Sequence, residues 1–306
     1  MLLYQDIIRE ALAAGFDLCG VTSCRQLADN ERFFRRWLSE GRHAALGYLE
    51  RNLDKRFDVR RLVAGARSVV VCAVSCKNAL SDGYPDGFGA KIASYALAAD
   101  YHVTIKRMLF DLFGRLRKHL PDLAGRAFVD SAPLLEKQLA VEAGLGWIGR
   151  QSLLVTPQYG TFVLLGELVL TAACDRYDAP LRNGGCGACR RCIDRCPAHA
   201  VGEDHAIDAR RCISCHTVEQ PVAAAIDLEG WIFGCDGCQS CCPYNRRAPQ
   251  HRLPAFDPLF DPLAYPPERW MEMTQEEFEG VFATTPLSRA GLERLRRNAA
   301  RNNGKE

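Results

Sequence analysis

Hydrophobic positions recur along the first half of this chain with two alternating periods. Residues 3–14, LYQDIIREALAA, place apolar side chains at helical spacing around Asp6, Arg9 and Glu10, which predicts an amphipathic helix. FDLCGVTSC then reads as a short strand ending in turn chemistry, and residues 31–51 as helix again. ARSVVVCAVSC (66–76) is a β-branched run suited to a buried central strand. A polar, glycine-rich loop follows, KNALSDGYPDGFG, and then a helix over 100–119. AFVDSAPLLEKQLAVEAG predicts strand, turn and helix, with Pro133 in the first helical turn and Gly144 ending the helix. GTFVLLGELVL (160–170) is a further apolar strand.

From about residue 181 the long apolar runs give way to cysteine, glycine and arginine. After Asn245, the stretch APQHRLPAFDPLFDPLAYPP holds six prolines and reads as an irregular connector over the surface. A last helical segment spans 274–300. The expected class is α+β, in three parts: 1–180 as an α/β-sandwich-like catalytic domain, 181–248 as a ferredoxin-like domain, and 249–306 as a proline-rich wrap with a helical tail.

No apolar run approaches the length of a membrane span, and the opening helix carries charges that a signal peptide would lack, so the expected compartment is the cytoplasm. The net charge of +2 gives no global field, but the tail sets Arg289, Arg294, Arg296, Arg297, Arg301 and Lys305 against one acid. That run is either a solvated helix face or a phosphate-backbone contact.

Fifteen cysteines change the picture, eleven of them between Cys174 and Cys242. A cytosolic chain keeps its thiols reduced, so a metal cofactor is the economical explanation. Cys186, Cys189, Cys192, Cys196 and Pro197 form a complete C-x2-C-x2-C-x3-C-P run, in which three thiolates hold one [4Fe–4S] cube and the fourth reaches a second. Cys235, Cys238 and Cys242 repeat only its last three ligands. If Cys196 leaves the first cube and Cys242 returns to it, the second cube needs one more cysteine, and Cys212 or Cys215 can supply it. Paired C-x2-C motifs also build zinc sites, but here two four-cysteine sets interlock. The cysteines left over read mostly as small buried hydrophobes, with Cys215 and Cys241 as substitute ligands.

Two cubes move single electrons, and the residues before them contain neither a Gly-x-Gly-x-x-Gly fingerprint nor a phosphate-binding loop. Motif reading alone ends at an iron–sulfur oxidoreductase with an unidentified second cofactor. The segments DKRFDVRRLVAGARSVVV, YALAADYH, FVDSAPLLEKQLAVEAGLGWIGRQSLLV, GELVL, CGACRRCIDRCPAHAV, DARRCIS, GCDGCQSCCPYN and TTPLSRAGLERLRRNAARN, in that order, resemble the epoxyqueuosine reductases. The resemblance implies a cobalamin-dependent enzyme that reduces epoxyqueuosine to queuosine at the wobble position of tRNA, the last step of queuosine biosynthesis. It further implies a tRNA anticodon stem-loop as partner and an external electron donor; the lack of a long apolar run leads us to expect no membrane partner, and, as nothing in the sequence demands a dimer, a monomer is expected.

The resemblance favours Cys212, in the RRCIS segment. One set is then Cys186, Cys189, Cys192 and Cys242, and the other Cys212, Cys235, Cys238 and Cys196. It also implies Asp130 as proton donor, and Arg56, Asp130, Gln151, Ser152, Ser214, Asp236 and Gly237 around the cobalamin. Expelling an epoxide oxygen needs an acid, and burial can keep a carboxyl protonated near neutral pH. The alternative for Asp130 is a helix cap. Glu136 and Lys137 read as structural, and His102 as either a contact or a core histidine. Ser94, Ala98 and Tyr244 depart from the family pattern, which affects packing more than redox chemistry. The helical-repeat domain of many relatives is missing here, which leaves RNA binding to the tail, Arg246, Arg247 and the helix around Lys106 and Arg107. The competing readings are another corrinoid iron–sulfur reductase of dehalogenase type, a non-catalytic electron carrier, and an iron–sulfur module that binds nucleic acid without turnover.

Overall fold

A computed structural model describes residues 1–220 and 226–304; Lys305 of the basic tail lies outside the described residues. The strands are β1 (Leu18–Ser23), β2 (Ser68–Ser75), β3 (Lys91–Ile92), β4 (Gly125–Phe128), β5 (Trp147–Ile148), β6 (Leu154–Val155), β7 (Val163–Leu170) and β8 (Trp231–Phe233). The helices of the first half are α1 (Tyr4–Ala13), α2 (Ala28–Ser39), α3 (Leu53–Arg56), α4 (Tyr101–His119) and α5 (Glu136–Glu142). Those of the second half are α6 (Arg191–Asp194), α7 (Gly237–Ser240), α8 (Pro267–Glu272), α9 (Gln275–Phe282), α10 (Leu287–Ala290) and α11 (Leu292–Asn302). Among the described residues no helix is long and apolar enough to cross a membrane.

Strand β2 is buried along its whole length because the sheet is covered on both faces. Val70, Cys72 and Val74 join a core with α1 and α4, while Val69, Val71 and Ala73 join a second core with α5. This is the period-2 alternation of a strand with both of its faces apolar. The sheet runs β1-β2-β7-β4 with every pairing antiparallel. A third core does not follow chain order: Ala90, Ile92, Ala96 and Leu97 pack with Ile232, Phe233 and the C-terminal helices. Parallel pairing of β3 with β8 stitches the same two segments together.

Three expected helices come out shorter. The one over 31–51 ends at Ser39, where Gly41 takes φ +66°. The helix after Pro133 begins only at Glu136, so the proline lies in the turn before it. The tail segment divides into α9, α10 and α11 around Pro286 and Gly291, whose φ of +77° disfavours other residues.

The wrap is pinned, not loose. Arg252 donates to Asp17 (2.6 and 3.0 Å), whose other oxygen accepts from the Ser75 amide, and Phe256 is buried in the first core. Asn245 joins the cysteine-rich segment to the sheet: its Oδ1 accepts from the Thr161 amide (2.7 Å), and its Nδ2 donates to Thr161 Oγ1 (2.9 Å) and Gln239 O (2.7 Å). A Cβ at Gly160, φ +63°, would meet Asn245 Oδ1 at 2.0 Å, so only glycine admits this contact. Lys77 Nζ adds bonds to the Asn245 and Ala248 carbonyls (2.7 and 3.0 Å). Asn245→Ala leaves the buried Thr161 amide unpaired. It is expected to lower stability by roughly 2–4 kcal/mol, read by anaerobic denaturant unfolding; no change would remove Asn245 from this role.

Candidate active site

The sheet, α4, α5 and the cysteine-rich segment enclose a cleft of about 850 Å³. Arg56, Asp130, Gln151, Ser152, Ser214 and Cys212 all line it. Asp236 and Gly237 do not. Asp236 is buried and accepts from the amide and hydroxyl of Ser94 (both 2.7 Å) and from Gln239 (3.1 Å). It braces the loop between Cys235 and Cys238, and Ser94, a departure from the family pattern, is its partner.

Asp130 follows β4 with φ +53°, and Ser152 stands across the cleft with φ +60°. Non-glycine residues held in this region are strained and gather at sites where the surrounding structure fixes them. For Ser152 the fixing contact is Lys137 Nζ, which donates to its carbonyl (2.6 Å). For Asp130 the contacts come from two helices. Tyr101 OH donates to Oδ2 (2.6 Å), His102 Nε2 lies 3.4 Å from the same oxygen, and the Asp130 amide donates to Glu136 Oε1 (2.5 Å). The helix-cap reading fails, because Asp130 donates its own amide to α5 while its carboxylate faces α4.

His102 is fixed from behind. Asp100 caps α4 by accepting from the His102 amide (3.0 Å), and its Oδ1 also meets Nδ1 of the imidazole (2.8 Å). Arg289 Nε of α10 donates to the remaining Asp100 oxygen (3.0 Å). With a carboxylate at each ring nitrogen, the imidazole holds both protons. Burial alone would lower its pKa, but the bonds to Asp130 and Asp100 outweigh burial and raise it.

The carboxyl chemistry corrects the sequence expectation. The His102 bond, with Tyr101 adding to it, holds Asp130 below the usual carboxylate range against the opposing effect of burial. This favours the carboxylate form of Asp130 and the protonated form of His102. The acid poised near neutrality is Glu136, pushed up to about 7 by burial and by the charge of Asp130.

The cysteines fall into two groups. Cys242 lies within electrostatic reach of Cys186 and Cys189, and Cys192 within reach of Cys241, Cys186 and Cys242. Cys235 and Cys238 feel Cys212 and Cys196. Burial first, and then the neighbouring thiols, raise Cys192 (to about 11), Cys212, Cys235, Cys238 and Cys242, so these become thiolates together only around cations. Among the described residues no three His, Cys, Asp or Glu side chains close on a point that would hold a single ion, as tetrahedral zinc requires. Cys215 turns its sulfur to Gln220 Nε2 (3.7 Å), whereas Cys241 stays beside the first group.

The cleft fits a large acceptor-rich ligand such as a corrinoid, whose rim carries carboxamides. Among the described residues Arg56 Nε and Gln151 Nε2 are buried donors with no partner, and buried donors are normally paired. Phe34, Trp37, Tyr48 and Tyr95 give the walls apolar area.

A family model described as epoxyqueuosine reductase QueG, DUF1730, matches residues 56–131, and a 4Fe-4S double cluster binding domain matches residues 185–245. The epoxyqueuosine reductase of Cyclobacterium marinum is 38% identical over 304 residues, covering 96% of this chain and 94% of its own. That of Leadbetterella byssophila is also 38% identical, covering 97% of each. This chain belongs to the epoxyqueuosine reductase family. The solved structure of the Streptococcus thermophilus epoxyqueuosine reductase superposes with a TM-score of 0.85 at 27% identity, covering 99% of this chain and 82% of that one.

Within this epoxyqueuosine reductase fold, Tyr101, Glu136 and Glu167 were not singled out as site residues by sequence reasoning. The available signal for Glu167 was a lone acid inside the apolar run LLGELVL. The tail arginines are largely engaged in packing: Arg296 binds Glu293 and the Met273 carbonyl, Arg297 the Gln220 carbonyl and Arg301 the Ile226 carbonyl. Because its bond to Asp130 raises His102, Asp130→Asn is expected to shift the His102 titration downward, read from imidazole NMR shifts. An unmoved titration would break the pair.

Proposed function

We propose that this protein reduces epoxyqueuosine to queuosine at the wobble position of a tRNA, with Asp130 delivering the proton. Residues 1–180 supply the catalytic cleft, residues 181–248 the two [4Fe–4S] clusters, and 249–306 the clasp that closes over both. The observation that carries the reading is Asp130, fixed between Tyr101, His102 and Glu136 on the floor of a cleft that also opens onto Cys212. Family membership and the double-cluster domain support it.

The net reaction breaks two C–O bonds and forms one C=C bond, with the oxygen leaving as water after taking up two electrons and two protons. Arg56, Gln151, Ser152 and Ser214 would hold cobalamin, and the two cysteine sets would hold the clusters. When bound, these groups supply single electrons from outside and low-potential reduction at the substrate. The chain's residues supply the rest. His102 stores a proton between two carboxylates, Asp130 Oδ2 takes it over and presents it to the departing oxygen, and Tyr101 keeps that oxygen of Asp130 aimed. Lys137 holds Ser152 and keeps positive charge beside Asp130. The tRNA anticodon stem-loop is the macromolecular substrate, an external donor provides the electrons, and the active form is a monomer in the cytoplasm.

The test is anaerobic turnover of epoxyqueuosine-bearing tRNA with added cobalamin and reductant, read by nucleoside mass spectrometry. Asp130→Ala is expected to cut the rate by about 10²–10⁴-fold with cofactors still bound. Full turnover in this variant would end its role as the acid. Wild type that binds the cofactors yet removes no oxygen would point to a corrinoid reductase for another substrate. Cys212→Ser is expected to lose about half of the iron, as one of two four-iron sets loses a ligand, whereas Cys215→Ser keeps it. The reverse result would exchange their roles.

A further inference from the structure

Glu167 stands in the middle of the central strand β7, opposite Val71 of β2 and Phe128 of β4. It is 0% exposed, and among the described residues neither carboxyl oxygen has a hydrogen-bond donor. On the same face of β7, Val163, Leu165 and Val169 pack in the apolar core beneath α5. A leucine would suit this position better than an acid. The group that Glu167 meets there is another carboxyl, Glu136 of α5, within hydrogen-bonding reach. Glu136 is half-buried at the cleft wall and Glu167 is fully buried, so ionising both would place an uncompensated charge in the core, and Glu167 is the one that keeps and donates a proton. Glu136 in turn accepts the amide of Asp130 (2.5 Å), the residue held at φ +53°.

We infer that Glu167 and Glu136 form a proton-sharing carboxyl pair that latches the Asp130 main chain in its left-handed conformation, making both of them positioning residues for the proton donor. The inference rests on the reading of Asp130 given above. Glu167 acts as donor, and its O–H fixes the rotamer of Glu136. Glu136 then presents a fixed acceptor to the one amide whose bond defines the turn. The titratable groups around the pair are Asp130 from the loop after β4, Lys137 of α5, Tyr101 of α4 and Cys72 of β2; His102 acts on it through Asp130. Burial, first of all, keeps Glu167 protonated, and the charge of Glu136 adds to this.

The pair also sets a pH dependence. The folded-state pKa of Glu136 is raised to about 7. Its contribution to stability is therefore fully present below its unfolded pKa and lost as pH rises through 7.

The test uses the full-length, cluster-loaded protein. Near pH 8, infrared spectra of wild type are expected to show the C=O stretch of a protonated, water-excluded carboxylic acid, which disappears in Glu167→Gln. The Tm of wild type should fall between about pH 4.5 and about 7, and level off above that, relative to Glu136→Gln, which cannot titrate. Glu167→Leu, unable to donate, is expected to lower kcat on epoxyqueuosine tRNA about tenfold with KM unchanged, and Glu167→Gln, which donates through its amide, to recover most of the loss. A missing carboxylic-acid band, parallel Tm–pH curves, or full kcat in Glu167→Leu would overturn the latch. If Glu167→Leu does not fold, the band and the Tm comparison still decide with the two near-isosteric variants. These two readouts do not depend on turnover. Failure of the pair is therefore separable from failure of Asp130, which Asp130→Ala reports.

Discussion

Glu136 meets Glu167 at the inner wall of the cleft, and the cost of charging the fully buried Glu167 beside it organises the floor of the cleft. The pair stays a pair only because β7 runs through the centre of a sheet covered on both faces, which fixes Glu167, and because α5 packs on that sheet through Leu139, Ala140 and Ala143. A loop that depended on its own hydrogen bonds would not keep a non-glycine residue at φ +53°. Here Asp130 borrows rigidity from a strand it does not belong to, and the polar interaction works because the apolar packing around it is complete.

The second constraint is the crowding of thiols. Neighbouring thiols repel one another's ionised forms, so the cysteine-rich segment is held together by the framework around it until cations arrive. Asn245, Lys77, Asp236 and Gln239 provide that framework, each bonding to backbone or side chains in the loops between cysteines or on the sheet. Cys238 also feels Cys192 of the other group, so the two groups are adjacent. Cys212 lines the cleft, which places one group at the cleft wall.

Elements with strong period or composition were legible in the sequence. The β-branched run of β2, the amphipathic α1 and the cysteine spacings each carry their meaning within a dozen residues. The polar partners were less legible because they are made by distant segments. Nothing near Asp130 announces Tyr101 and His102, which lie about a helix and a strand earlier, or Arg289, which fixes Asp100 from the far end of the chain. Asp236 was misplaced for the opposite reason. Its neighbours in sequence are cluster-type cysteines, but its side chain is buried against Ser94 and Gln239 and does not line the cleft. The sequence reading of Asp130 counted burial and not the imidazole beside it, whose bond favours the carboxylate form.

The C-terminal segment makes the same physical point at longer range. A proline-spaced connector and short helices carry little secondary-structure stability of their own, yet Phe282, Leu287, Leu292 and Leu295 share a core with Ile92 and Leu97. That packing delivers Arg289 to Asp100 and the Thr284 carbonyl to the Asp100 amide (2.8 Å). Asp100 in turn caps α4 and holds the imidazole that keeps Asp130 ionised. The order of the chain thus runs opposite to the order of support: the last helices hold the first residue of α4's cap, the cap holds the base, and the base sets the proton that the cleft has to offer.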